Sequence, residues 1–263
     1  MKIYPSQSIY EYWINNYFRD FDLFFVNEIL FVDKTVSIIS KNIFKTSEAF
    51  NININNLYEF WNLDEYHYVI QSPPGWLENQ NNEVQTYILK EQRRTNNPLY
   101  KNDKLITLNA WQTLSREQKI QFFKERIDEY QDNITSQHNK ATLPDYLQSV
   151  INEFPYHQGA NCLSLVIFSL TRDKDMLNQW IKGESFLNTI MGLGYTESPG
   201  PSRKGDIIFF THNDSIVHAT YQIDTHLFIN KNGQTIFNPY KLITHKELEN
   251  SWGSFKKHIY RQT

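Results

Sequence analysis

At 263 residues, with 40% hydrophobic and 15% aromatic side chains, the chain is long enough for one large domain or two small ones and apolar enough for a packed core. A net charge of −3 offers no basic surface for nucleic-acid phosphates, and a single cysteine excludes an internal disulfide or a multi-cysteine zinc site. The histidines lack the i, i+4 spacing of a helical metal site, so neither a structural metal nor a cofactor is expected.

Taken in order, Met1-Lys2-Ile3-Tyr4-Pro5-Ser6 lacks a basic region followed by an apolar core, and no stretch reaches membrane-span length. The expectation is a soluble chain made in the cytoplasm, with no membrane span. Ile9, Tyr12, Trp13 and Tyr17 recur at helical spacing over 6–18, with Ser6 or Ser8 as cap. Leu23-Phe24-Phe25-Val26 and Ile29-Leu30-Phe31-Val32, separated by Asn27-Glu28, predict a tight hairpin. Val36 to Ile39 is β-prone, an Asn-rich stretch covers 51–56, and Pro73-Pro74-Gly75 marks a turn. Ser115-Arg116-Glu117-Gln118 opens a helix to Tyr130 as a capping box, with Ile120, Phe122, Phe123 and Ile127 on its apolar face. The polar stretch 131–142 reads as a long connection, dividing the chain into an N-terminal mixed α/β region, 1–140, and a C-terminal domain, 141–263.

The second region changes rhythm. Helices are predicted over 144–154, 162–170 and 175–191, the last closed by Gly192 and Gly194. Strands follow at 206–210, 216–223 and 227–231, then Asn232-Gly233 as a turn, a short helix near 245–252 and a last strand around 257–260. This order predicts an α+β plan in which a cysteine-bearing helix packs across an antiparallel sheet.

Cys162 opens the helix at 162–170, where unpaired N–H groups and the positive dipole end favour thiolate over thiol. On the strand 216–223, alternation puts His218 on one side with Thr220 and Gln222, and Val217, Ala219, Tyr221 and Ile223 on the other. A helix N-terminus resting on the His218 face would pair thiol with imidazole, the arrangement that nucleophilic acyl transfer needs. Asn230, twelve residues on, is the candidate to orient the ring across the hairpin, with Asn232 the weaker alternative because Asn-Gly is itself a turn signal.

Four segments carry a resemblance: Asn161-Cys162-Leu163-Ser164-Leu165-Val166, Gly205-Asp206-Ile207-Ile208-Phe209-Phe210, His218-Ala219-Thr220-Tyr221 and Ile229-Asn230. Together they resemble the NlpC/P60 family of papain-like cysteine hydrolases over about residues 144–240. The approach Gly159-Ala160-Asn161-Cys162 also looks like CHAP amidases, and the tail from Asn230 to Tyr240 like papain-fold toxin and deamidase domains. Around the nucleophile the family has Asp-Cys-Ser-Gly, and after the histidine Val-Gly, where this chain has Ala219-Thr220. The resemblance implies a papain-like fold and a Cys162-His218-Asn230 triad, with Tyr156 and Asn161 facing substrate. It implies a peptidase or amidase acting on a peptidoglycan stem peptide, deployed by a non-Sec route as an effector or toxin, with an immunity protein or secretion adaptor as partner. Two alternatives stand beside it: deamidation or cleavage at a glutamine of a target protein, and a catalytically inactive binding module of the same fold.

Overall fold

The computed structural model describes residues 2–31, 33–130 and 143–263, which form two compact units, Glu11–Phe122 and Met1–Tyr10 with Phe123–Thr263. The connection expected at 131–142 lies outside the described residues. Among those described, no helix is long and apolar enough to cross a membrane.

In chain order the first elements are α1 (Gln7–Asn16), β1 (Asp22–Val26), β2 (Ser37–Ser40), α2 (Lys41–Thr46), α3 (Ile52–Leu57), β3 (Tyr68–Ser72), α4 (Asn82–Arg94), β4 (Tyr100–Lys101), β5 (Lys104–Leu105), α5 (Leu108–Thr113) and α6 (Arg116–Tyr130). The sheet order is β1-β3-β2, antiparallel throughout, with Phe25 opposite Val69. Among the described residues, 29–31 form no strand, so the hairpin expected between 23–26 and 29–32 is not formed there. Asn27-Glu28 supplies no glycine for a two-residue hairpin turn, and Leu30 is 63% exposed. Instead β1 turns its outer edge to side chains: Tyr58 Oη accepts from Leu23 N, Gln92 accepts from Phe25 N and donates to Phe25 O, and Glu91 accepts from Asn27 N. The Asn-rich stretch is helix α3, because the Asn51 side chain accepts from the N–H groups of Asn53 and Ile54. Ser115 and Gln118 form the expected capping box at the start of α6.

The second unit is α+β, with α7 (Asp145–Gln148), α8 (Cys162–Thr171), α9 (Gly183–Gly192), β6 (Tyr195–Glu197), β7 (Ile207–His212), β8 (Ser215–Gln222), β9 (Leu227–Asn230), β10 (Lys241–Thr244), α10 (His245–Trp252) and β11 (Lys256–Gln262). Its sheet is antiparallel in the order β10-β9-β8-β7-β11-β6. α8 packs on the face carrying Ile207, Phe209, Ala219 and Ile229, and its residues Cys162 to Ser169 are all buried. The opposite face, with Ile208, Phe210 and Phe228, is covered by Leu248 and Trp252 of α10.

Two predicted helices are shorter than their periodicity. The one expected over 144–154 stops after Gln148, since Asn152 adopts φ 66° and gives its N–H to Tyr240 O at 2.6 Å. The one expected over 175–191 splits into a 3-10 turn, Lys174–Asn178, and α9. Between them the Ile181 carbonyl accepts from Asn161 Nδ2 at 2.8 Å rather than from a helical N–H.

Candidate active site

Asn161 caps α8. Its Oδ1 accepts from Ser164 N at 3.0 Å, while Ser164 Oγ accepts from Asn161 N at 3.0 Å, completing a capping box. With Nδ2 on Ile181 O, both polar atoms of the Asn161 side chain serve the fold, and the residue is 9% exposed. This corrects the reading of Asn161 as a substrate-facing group. Tyr156 is exposed, with its hydroxyl 3.2 Å from Ser8 Oγ.

The cap delivers Cys162 to the first turn of α8, beside the sheet. β8 pairs with β9 only at Tyr221↔Ile229 and Gln222↔Phe228. Gln222 N bonds Asp206 O on the β7 side, so the backbone groups of Gln222, Thr220 and His218 face β7 and those of Tyr221 and Ala219 face β9. Past Tyr221 the β9 side is open, and there the Ala219 N–H meets Cys162 Sγ. Burial pushes the Cys162 thiol up, while the Ala219 N–H, the Lys231 ammonium and the N–H groups of Leu163 and Cys162 favour the thiolate.

His218 is 1% exposed, on the α10 face. Its ring lies flat on Trp252, with centroids 4.1 Å apart and planes 2° from parallel, and it also faces Phe210. Nε2 is 2.7 Å from Asn230 Oδ1, and Asn230 Nδ2 donates to Asn232 Oδ1 at 2.9 Å. Because the Asn230 amide nitrogen is engaged with Asn232, its oxygen takes the Nε2–H proton, which leaves Nδ1 as the basic nitrogen. Burial lowers the His218 pKa to about 3; the Asn230 bond opposes this and Lys241 adds to it.

The structure thus joins His218 to Asn230, and Asn232 stands behind Asn230 as its acceptor. Cys162 is brought only as far as the peptide that follows His218. The expectation that α8 rests on the His218 face is corrected: α8 lies on the Ala219 face, because Ala219 and not His218 packs against the apolar first turn. Among the described residues, no hydrogen bond links Cys162 to His218.

Two residues absent from the sequence reading shape this region. Lys231 is fully buried, and its Nζ donates to Gly233 O at 3.2 Å and Thr235 O at 2.9 Å. Burial lowers its pKa to about 7, while Cys162 pulls it up. Alternation places Lys231 on the side opposite Asn230, the face of α8, which strand periodicity could have shown. Trp252, the aromatic cover of His218, had no signal beyond its place in a predicted helix.

No group of three His, Cys, Asp or Glu among the described residues could hold a metal ion. No family model matches the chain, and no curated protein or solved structure is significantly similar to it.

Proposed function

We propose that the second unit is a papain-like cysteine hydrolase of the NlpC/P60 type, acting on an amide bond. The observation that carries this reading is the 2.7 Å His218–Asn230 bond, which leaves Nδ1 as the free ring nitrogen, on a strand whose opposite face meets a cysteine at a helix N-terminus. The reaction requires Nδ1 to accept the Cys162 proton. Because His218 stands on the α10 face and Cys162 on the α8 face, it also requires an arrangement of β8 that brings both side chains to one side; the thiolate then adds to the amide carbonyl. The imidazolium then protonates the leaving amine, and water releases the acyl group from sulfur. The Cys162 N–H serves the developing oxyanion. The substrate is a stem-peptide amide of peptidoglycan, with a protein glutamine side chain as the alternative.

Mass spectrometry after incubation distinguishes these: stem-peptide cleavage selects the first, and a gain of about one dalton on glutamine the second. In either case Cys162→Ala and His218→Ala abolish turnover, with Asn230→Ala milder. A second reading, a catalytically silent module, is favoured by the 9% exposure of Cys162 and its raised pKa. Iodoacetamide labelling separates the two. A nucleophile reacts below neutral pH in a His218-dependent manner, whereas a packed thiol reacts only on unfolding.

A further inference from the structure

A cavity of about 340 Å³ in the second unit, near the small end of ligand-pocket sizes, is lined by neither Cys162 nor His218. Its floor is apolar, built from Val150, Phe154 and Tyr240, which are 5%, 2% and 3% exposed. The lining is tied together by hydrogen bonds to backbone carbonyls. Tyr240 N donates to Glu153 O at 2.9 Å, and Tyr240 Oη donates to Leu177 O at 3.0 Å, which ties the 3-10 turn to the floor. That turn begins at Lys174, and Asp173 caps it through Asp175 N.

Two residues of opposite charge therefore line one largely apolar cavity from separate segments, Glu153 from the chain after α7 and Lys174 from the 3-10 turn. Among the described residues, neither the Glu153 carboxylate nor the Lys174 ammonium has a hydrogen-bond or ion-pair partner. Tyr156 stands with them in the lining. An apolar floor in a lining that also holds a carboxylate and an ammonium, neither partnered among the described residues, matches a ligand with an apolar body, one amine and one carboxylate.

We infer that this cavity binds a small zwitterion with an aromatic or aliphatic side chain, a free amino acid or a short peptide, its amine at Glu153 and its carboxylate at Lys174. The site goes beyond the hydrolase reading and stands whether or not Cys162 is a nucleophile.

Isothermal titration of the full chain tests it with four probes: L-phenylalanine, the dipeptide phenylalanyl-alanine, phenethylamine and 3-phenylpropionate. One of the two zwitterions should bind about tenfold more tightly than either singly charged probe, and which one does so separates free amino acid from peptide. Glu153→Gln should weaken the zwitterion and phenethylamine but spare 3-phenylpropionate, and Lys174→Gln should do the reverse. Both side chains lie off the core, so circular dichroism should match the parent. Binding of all four probes with equal affinity, binding indifferent to both substitutions, or no binding of either zwitterion would overturn the assignment. Turnover at Cys162 is measured separately, so its loss and the loss of zwitterion binding are distinguishable.

Discussion

Replacing Lys231 by methionine should flatten one part of the pH dependence of stability. The ammonium is fully buried on two carbonyls, and burial lowers its pKa from 10.5 to about 7. Between those values the unfolded chain holds a proton that the folded chain has released, so stability rises with pH, by about 1.4 kcal/mol per pH unit once Lys231 is mostly neutral. Below pH 7 both states are protonated, and the full cost of burying the charge is present. From pH 7.5 to 9 the parent should gain about 2 kcal/mol relative to Lys231→Met. The buried Cys162 thiol, raised by burial, works in the opposite direction above that range, so the comparison ends at pH 9. At pH 6.5 the substitution removes a buried charge but leaves Gly233 O and Thr235 O without their donor, a cost of about 1–3 kcal/mol each. The change of the difference with pH is therefore the diagnostic quantity. Urea unfolding followed by circular dichroism at half-unit pH steps measures it. Parallel pH profiles for parent and Lys231→Met would refute the reasoning, because they would mean that the lysine titrates at its ordinary pKa.

Three further outcomes are expected. His218, held neutral to about pH 3 by burial, must be charged in the unfolded chain below its ordinary 6.5; stability should therefore fall by about 2 kcal/mol from pH 6 to 4.5 through this group, and His218→Phe should lose that component in acid-unfolding titrations. Asp22 is raised to about 6, by burial first, and its Oδ1 accepts from Leu108 N at 2.8 Å. Its contribution is lost as pH rises from 3.8 through 6, so Asp22→Asn, which keeps the acceptor, should raise the thermal midpoint at pH 7.5 but not at pH 4. Asn161→Ala removes the cap of α8 and the tie to Ile181, and should cost about 1–2 kcal/mol in denaturant unfolding; an unchanged midpoint would mean that the cap carries no stability.

Much of the second unit could be read from its residues. The run from Cys162 to Leu170 is apolar enough to be helical only as a buried element, and β7, β8 and β9 are apolar or β-branched runs set off by Gly, Pro, Asn and Asp, so their bounds fall within a residue or two of those expected. The His218–Asn230 contact was legible too, because strand alternation and a short turn define which residues share a face. The seat of α8 was not. Whether a helix lies on the odd or the even face of a strand depends on which set packs better, and Ala219, small beside the first turn of α8, outcompetes the polar His218. In the first unit the failure was one of partnership. β1 has the composition of a hairpin arm, but its partner β3 begins at Tyr68, and no local pattern reports a pairing across that separation. The breaks at Asn152 and Ile181 come from hydrogen bonds to Tyr240 and Asn161, again beyond any local window.

The outer edge of β1 has a consequence for how the chain behaves in company. Asp-Leu-Phe-Phe-Val is five consecutive buried residues at the margin of a sheet, the kind of segment on which a strand from another molecule can template. Tyr58, Gln92 and Glu91 occupy its outward N–H groups at Leu23, Phe25 and Asn27, and Gln92 takes the Phe25 carbonyl as well. Three side chains act as a counterfeit fourth strand that cannot itself be extended. The fold thereby closes a route to intermolecular β-pairing at its most apolar margin without spending a strand on it.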